Sequence, residues 1–302
     1  MRTLAILFTA LALASPASAG VQLGIFGPLP RFQSLTGQQS DVGHVIFGWG
    51  QATFSQLIPQ LGDMPMIGFG AGDDAITPLA IARGGGDSYL FALNQAAAAF
   101  GKPIYIRPMG EMNGHWNAYC AYDKNGTPRN AAHSTLAFRR AFARIYLIVH
   151  GGTAATINAE LRRLKLPPIT QDLPETQAVV VWNPQGYGSP DVPGNRAQAY
   201  YPGDRFVDIV GNDLYDIRGK AEWAAADALY KAHPTKPYSF PEWGLWGIDD
   251  PKFVEQMAQF VKTHKRTKLI AYFNAKPGSI FDLASKPKSL AAYKRLILPL
   301  GR

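Results

Sequence analysis

Short apolar runs recur along the chain, and each is followed by a stretch whose apolar residues fall three and four apart. Eight runs read as strands: Val21–Phe26, Val45–Trp49, Met66–Phe69, Ile104–Met109, Ala178–Trp182, Val207–Leu214, Pro237–Glu242 and Leu269–Phe273. Many of their residues are β-branched or aromatic, and strict polar alternation is missing, as expected where both faces of a strand are covered. The intervening stretches carry helix punctuation. Asp87 or Ser88 can cap a helix that runs to Phe100, where Gly101 and Pro103 stop it. His133 or Ser134 opens one with Phe138, Phe142 and Tyr146 on a single face. Glu222–His233 is another, ended by Pro234. Asp249 or Asp250 before Pro251 starts a helix through Val261, with proline in the first turn where no donor is lost. Ser289–Leu298 is the last, stopped by Pro299.

Strands alternating with helices predict a parallel α/β architecture, and eight such units predict a single (β/α)8 TIM barrel. A doubly wound open sheet would want a phosphate-binding glycine turn after the first strand. Gly24-Ile25-Phe26-Gly27-Pro28 does not supply one, because the proline sits where that turn's helix would begin. Gly68-Phe69-Gly70-Ala71-Gly72 lacks the Lys and Thr spacing of a P-loop and reads as a strand-end turn. The longest irregular insertion is expected over Gly151–Gln171. No repeat or linker divides the chain.

Residues 1–19 change the picture at one end. Arg2, the apolar run Leu4–Ala14 and the small residues Ala17-Ser18-Ala19 fit a signal peptide cleaved before Gly20. The expectation is a secreted or periplasmic protein with one catalytic domain over 20–302. The run is too short to span a bilayer, and no later stretch is long and apolar enough to do so. A single cysteine, Cys120, precludes an intrachain disulfide. It has no adjacent His or paired Cys and is expected to be an inert thiol. The formal net charge is +8, with 17% charged and 47% hydrophobic residues. Basic proteins favour acidic partners, an anionic polysaccharide or an envelope surface among them. Lys and Arg do not interleave with aromatics as nucleic-acid grooves require, so no nucleic-acid partner is expected. The six histidines are dispersed and no Cys pair exists, so neither metal nor cofactor is expected. Asp73-Asp74, after the third strand, reads as a solvated turn. No Gly-x-Ser-x-Gly elbow is present. Nothing demands more than a monomer.

The chemistry concentrates at two strand ends. Ile104-Tyr105-Ile106-Arg107-Pro108-Met109-Gly110-Glu111 leads from apolar strand to carboxylate and on to Trp116, and Tyr238-Ser239-Phe240-Pro241-Glu242-Trp243 repeats the pattern. Chemistry in such barrels lies at the C-terminal ends of the strands. Two carboxylates there, flanked by aromatic rings, suit cleavage of a glycosidic bond: one protonates the leaving oxygen while the other attacks the sugar or activates water. Five of the six tryptophans, Trp49, Trp116, Trp182, Trp243 and Trp246, fall at or just beyond a predicted strand end, which suggests a rim of sugar-stacking platforms. Asn113, Asn183, Gln185, Asn212, Asp213 and Asn274 share that rim and are available to bind hydroxyls. Arg107 shares a strand face with Glu111 by period-two counting, and Glu242 is its natural partner. Carboxyls about 5–5.5 Å apart would give retention through a covalent glycosyl-enzyme. The charge of one would then raise the pKa of the other.

The segment Arg107-Pro108-Met109-Gly110-Glu111-Met112-Asn113-Gly114-His115-Trp116 resembles the acid/base motif of glycoside hydrolase family 26. So do Gly86-Asp87 leading to Lys102-Pro103, Tyr201–Tyr215 with its Gly211-Asn212-Asp213-Leu214-Tyr215, and Pro241-Glu242-Trp243-Gly244, in the family's order. The resemblance implies a retaining (β/α)8 enzyme, in a family made up mostly of endo-β-mannanases with some β-glucanases and β-xylanases. It implies Glu111 as acid/base and Glu242 as nucleophile. Arg107 would brace the site, Trp116 would stack a sugar and Tyr215 would contact the nucleophile. Where the family has a site Trp on the eighth strand, this chain offers Tyr272 or Phe273. The family also has His immediately before the acid/base, and here that residue is Gly110. Its absence is expected to leave room in the pocket and weighs against a mannan substrate. The expected activity is hydrolysis of a polysaccharide (β-mannan, β-glucan, β-xylan or exopolysaccharide). The alternatives are a non-catalytic carbohydrate-binding barrel and a transglycosylase using the same covalent intermediate.

Overall fold

The computed structural model describes residues 20–50, 53–70 and 76–301. The expected signal peptide and the Asp73-Asp74 turn lie outside the described residues. Nine strands form one wholly parallel sheet: β1 Gln22–Phe26, β2 Val42–Phe47, β3 Met66–Phe69, β4 Ile104–Pro108, β5 Ala178–Trp182, β6 Ile209–Gly211, β7 Leu214–Ile217, β8 Tyr238–Trp246 and β9 Thr267–Phe273. Their order is β6-β5-β4-β3-β2-β1-β9-β8-β7, and pairing of β6 with β8 closes it. β6 and β7 are the two halves of one stave, so the sheet is an eight-position closed barrel, as the alternating pattern predicts.

Two apolar layers hold it. Val42, Met66, Tyr105, Val181, Ile209 and Leu269 form a small buried cluster of their own. Tyr105 lies two residues before Arg107 on β4, so both point to one face, and this cluster is the floor of the lumen beneath the Arg107 level. The larger cluster lies between sheet and helices. The helices before β5 begin, in chain order, with α1 Leu29–Thr36, α2 Phe54–Leu57, α3 Pro78–Ala82, α4 Asp87–Phe100 and α5 Thr135–His150. Helix α5 is capped by the Ser134 side chain and buries Phe138, Phe142 and Ile145. Its Arg144 is also buried, and its Nε donates to Asp87 at 2.8 Å, tying α5 to helix α4, Asp87–Phe100. Gly101 ends α4 in the left-handed conformation at φ 68°, which glycine adopts without steric cost. A helix over Pro251–Thr263 starts from the Asp250 side chain, which accepts from the Lys252 amide.

Four expectations need correction. Gly151–Gln171 is not irregular, because the Thr153 side chain caps a helix, Ala154–Arg163. That helix buries only Ile157 and Leu161, so its apolar signal is thin. The predicted strand Val207–Leu214 breaks at Asn212-Asp213, whose side chains are buried in the molecule. The strand predicted to end at Glu242 runs on to Trp246. The last helix is Pro287–Leu296, starting two residues earlier, with proline in its first turn.

Candidate active site

Glu111 is presented by a turn at the end of β4. Met109 and Glu111 both adopt left-handed backbone, at φ 50° and 56°. Non-glycine residues rarely do so, and such strain persists where the surroundings fix it. Here the Glu111 amide donates to the Asn183 carbonyl at 2.7 Å, pinning the turn to the end of β5. The carboxylate is held on both oxygens: Trp116 Nε1 donates to Oε2 at 3.0 Å, and Gln185 Nε2 donates to Oε1.

Glu242 reaches the same space from β8. The register of β8 against β9 slips between Phe240 and Trp243. Pro241, lacking an N–H, sits within that slip, and an irregularity of this kind re-aims the side chains beside it. Arg107 Nη1 donates to Glu242 Oε1 at 2.7 Å, and the Tyr215 hydroxyl donates to Oε2 at 2.6 Å. The other side of the Arg107 guanidinium meets Asp213, which also accepts from Asn183 Nδ2 at 2.9 Å. Arg107, Asp213 and Glu242 are all buried.

This network sets the protonation pattern. Burial raises the pKa of Glu111, and the charge of Glu242 adds to the rise, against the pull of Arg107 and the Trp116 N–H. Burial pushes Asp213 well above the usual carboxylate range despite Arg107, with Glu242 and Glu111 adding to it. Burial and then the Glu242 charge push the Tyr215 hydroxyl far above its ordinary value, so it remains a donor. Burial works against the charge on Arg107, but Asp213 and Glu242 outweigh it and its pKa rises. His44 lies deeper, and burial followed by the Arg107 charge pushes it well below its ordinary value.

Two cavities meet at Glu111. A smaller one, about 210 Å³, is lined by Glu111, Glu242, Arg107, Gly110, Phe69, Tyr119 and Phe273 among others. A larger one, about 440 Å³, is lined by Glu111, Trp116, Gln185, Tyr187, Asp213, Tyr215 and Trp246 among others. Trp116 is 52% exposed and Trp246 45%, so both offer a face to a ligand. Tyr215 joins this wall edge-on to Trp246, their ring centroids 5.7 Å apart.

The predicted tryptophan rim does not hold as a whole. Trp182 is fully buried against Tyr201 and His233, on the helix side of β5. Trp243 is fully buried and stacks on Tyr293 at 5.8 Å. Tyr272 is fully buried between Trp243, Phe32 and Tyr293. These three rings have no free face for a sugar and belong to the core. Trp49 is buried too, donating from Nε1 to the Tyr119 hydroxyl at 2.7 Å. Asn113 is also buried. Its Nδ2 donates to the carbonyls of Gln185 and Tyr187, and its Oδ1 accepts from the Gln185 amide, so it positions Gln185 rather than a ligand. Asn274 is structural in the same way, accepting from the Leu283 amide. Cys120 is buried.

Sequence reasoning named Asp213 and Gln185 only among the polar rim and missed their direct roles. It passed over Tyr187, 41% exposed in the larger cavity, altogether. The signal for Asp213 was its position two residues before Tyr215, which strand alternation places on the same side. Gly110 corrects another expectation. A β-carbon there would lie 2.8 Å from Cζ and Nη2 of Arg107, so the space above Gly110 is taken by the guanidinium. Among the described residues no group of three His, Cys, Asp or Glu side chains is arranged to hold a metal ion.

No family model matches the chain. Its fold is that of solved β-mannanases of glycoside hydrolase family 26, which the sequence segments above resemble. A mannanase from Bacillus subtilis superposes with TM-score 0.60 and 16% identity, covering 91% of this chain and 85% of that one. An endo-β-1,4-mannanase double mutant from Cellulomonas fimi superposes with TM-score 0.61 and 18% identity, covering 90% and 70%. Endoglucanase H of Acetivibrio thermocellus is 22% identical over 288 residues. That match covers 89% of this chain, which spans only 29% of the relative's length.

Proposed function

We propose that this chain is a retaining glycoside hydrolase that cleaves a polysaccharide internally, with Glu242 as nucleophile and Glu111 as acid/base. The observation that carries the reading is the asymmetry between two carboxyls lining one cavity. Glu242 accepts from a guanidinium and a phenol, both of which stabilise negative charge on it. Glu111 is half-buried and next to that charge, and both its desolvation and the charge favour its protonated form. One carboxyl held by two donors and a second that favours its proton suit the roles of nucleophile and acid.

The sugar to be attacked would occupy the smaller cavity over Glu242, and the leaving chain the larger one, because Glu111 stands between them. In the first step Glu242 forms an ester bond to the anomeric carbon while Glu111 gives its proton to the departing oxygen. Once the Glu242 charge is consumed, the rise it imposes on Glu111 disappears, and Glu111 can take a proton from the incoming water. Arg107 and Tyr215 hold the carboxylate in line throughout, and Trp116 and Trp246 stack sugars of the leaving chain. The substrate class is a neutral β-linked polymer, a mannan or glucan in view of the relatives named above, with β-xylan and exopolysaccharides as further members of the test panel. Residues 1–19 support export to the periplasm or medium, and the mature chain would begin at Gly20 and act as a monomer.

The test is a panel of β-mannan, β-glucan, β-xylan and bacterial exopolysaccharides with sizing of the products. Wild type is expected to release oligosaccharides from at least one, and Glu242→Ala to bind that glycan without cleaving it. Glu111→Ala is expected to glycosylate slowly from substrates with activated leaving groups and to yield a β-glycosyl azide in the presence of azide. Undiminished turnover by Glu242→Ala would remove the nucleophile assignment. Binding without any turnover by wild type would replace the hydrolase by a carbohydrate-binding barrel.

A further inference from the structure

A second concave site lies on the flank of the barrel and shares no lining residue with the cleft. It is a groove of about 540 Å³ between α5, the end of the Ala154–Arg163 helix and the segment 198–203. That volume falls within the range of small-ligand sites, about 300–1,000 Å³. On α5 its lining is Leu136, Arg139, Arg140 and Ala143, the i, i+3, i+4, i+7 stripe of one helix face. Arg163, Leu164 and Lys165 close the opposite wall, and Tyr201 and Pro202 form an end.

Four cations line this groove and no carboxylate does. Among the described residues, the side chains of Arg139, Arg140 and Lys165 make no hydrogen bond or ion pair. Arg163 pairs with Glu160 at 2.6 Å, but Glu160 is shared with Arg205 at 2.7 Å, so one carboxylate serves two guanidiniums. Lys165 has left-handed backbone at φ 57°. It stands just past the helix end, where its amide bonds back to Arg162 and that of Leu166 to Leu161, a closure that ordinarily takes glycine. A charged side chain is thus held where glycine would be the unstrained choice. The cationic edge also has an apolar floor: Leu136 is 47% exposed, and Ala143, Leu164 and Pro202 continue it.

We propose that this groove binds an acidic polysaccharide, a chain whose sugar rings carry carboxylates, independently of the catalytic cleft. Planar guanidiniums match carboxylates in bidentate geometry. The CH faces of sugar rings match the apolar floor. Nucleic acid fits less well, because stacked bases need aromatic platforms and the single aromatic residue here, Tyr201, is tied by its hydroxyl to Asp204 at 2.8 Å. A bilayer surface would need a protruding apolar face rather than a concave one.

The experiment is affinity electrophoresis and calorimetry with polygalacturonate as probe, and with the same polymer after its carboxyls are reduced to alcohols as the neutral control. Wild type and Glu242→Ala are expected to bind the acidic polymer equally, with log K falling linearly against log salt. The carboxyl-reduced polymer is expected to bind at least tenfold more weakly. The triple variant Arg139→Ala/Arg140→Ala/Lys165→Ala should lose at least tenfold in affinity and show a smaller salt slope, with turnover of a small soluble glycoside unchanged. Lys165→Gly relieves the strained backbone while removing one charge, so it should fold at least as well as wild type and still bind more weakly. Equal binding by these variants, equal binding of the reduced polymer, or loss of binding in Glu242→Ala would each overturn the proposal. So would equal or tighter binding to duplex DNA or to phosphatidylglycerol vesicles.

Discussion

Replacing Gly110 by alanine adds one methyl group beside the catalytic network, and the structure predicts where it lands. The new carbon would sit 2.8 Å from Cζ and Nη2 of Arg107 and 3.1 Å from Nε. Carbon contacts relax near roughly 3.5–4.0 Å, so the guanidinium must retreat by about 0.7 Å or more. An exposed arginine would do so at no cost. Arg107 is buried and bonded on one side to Asp213 and on the other to Glu242 at 2.7 Å. The displaced Nη2 arm is the one bonded to Asp213, and a retreat of that size directed away from Glu242 would take the Glu242 bond past the roughly 3.2 Å limit of a useful hydrogen bond. A bond to a charged group contributes about 1.5–3 kcal/mol. Loss of that amount from the transition state lowers kcat by roughly 10- to 150-fold.

Stability should fall by no more than about 2.6 kcal/mol. Overpacking costs about 1–3 kcal/mol. The change from glycine to alanine returns about 0.4–1 kcal/mol through the unfolded chain, since the backbone at this position is not in the left-handed region. The assay is kcat and KM on the cleaved glycan beside thermal melting of the same samples. A large fall in kcat with a shift of a few degrees in Tm is expected. Wild-type kcat in Gly110→Ala would refute the reasoning, since it would mean that the guanidinium yields without consequence. Gly110→His, which reinstates the histidine implied by the family resemblance, is expected to be worse than alanine rather than an improvement.

Three further outcomes follow from the same geometry. Trp116→Phe removes the N–H that stabilises ionised Glu111, so the pKa of Glu111 rises further and the alkaline limb of kcat/KM moves to higher pH; an unmoved limb would deny Trp116 that role. For Glu111→Gln the sign is fixed by the raised pKa: the folded state holds that proton more tightly than the unfolded one, so its contribution to stability is present at low pH and fades as pH rises through the folded value. The glutamine cannot ionise, so the Tm of the variant should gain on wild type between pH 4 and pH 8, and a difference independent of pH would contradict this. Trp182→Ala should cost about 3–5 kcal/mol of stability by leaving a cavity, whereas Trp246→Ala should raise KM with little change in Tm; melting and kinetics on the two variants check the pair.

What the sequence disclosed and what it concealed divide along a physical line. Strand order and the two glutamates were legible because apolar periodicity and strand-end position survive folding unchanged. The face a side chain takes beyond a strand end did not survive. Val181 belongs to the cluster on the barrel floor, so Trp182, its neighbour, points out toward the helices, yet both sit in one uninterrupted apolar run. Trp243 follows the register slip on β8, which breaks the alternation that would have assigned its face. The break at Asn212-Asp213 was hidden for the converse reason. Two polar residues inside an apolar run read as decoration of a rim, whereas they interrupt the stave and deliver Asp213 to Arg107. Gly110 shows the limit of reading positions singly. Taken alone, a glycine where a histidine is expected suggests an empty pocket. Arg107 lies three residues earlier on the same strand end, and its guanidinium fills that space because Asp213 and Glu242, from two other staves, hold it there. Whether a missing side chain leaves a hole is therefore decided by the charges that converge on the site, and those come from segments that no local pattern connects.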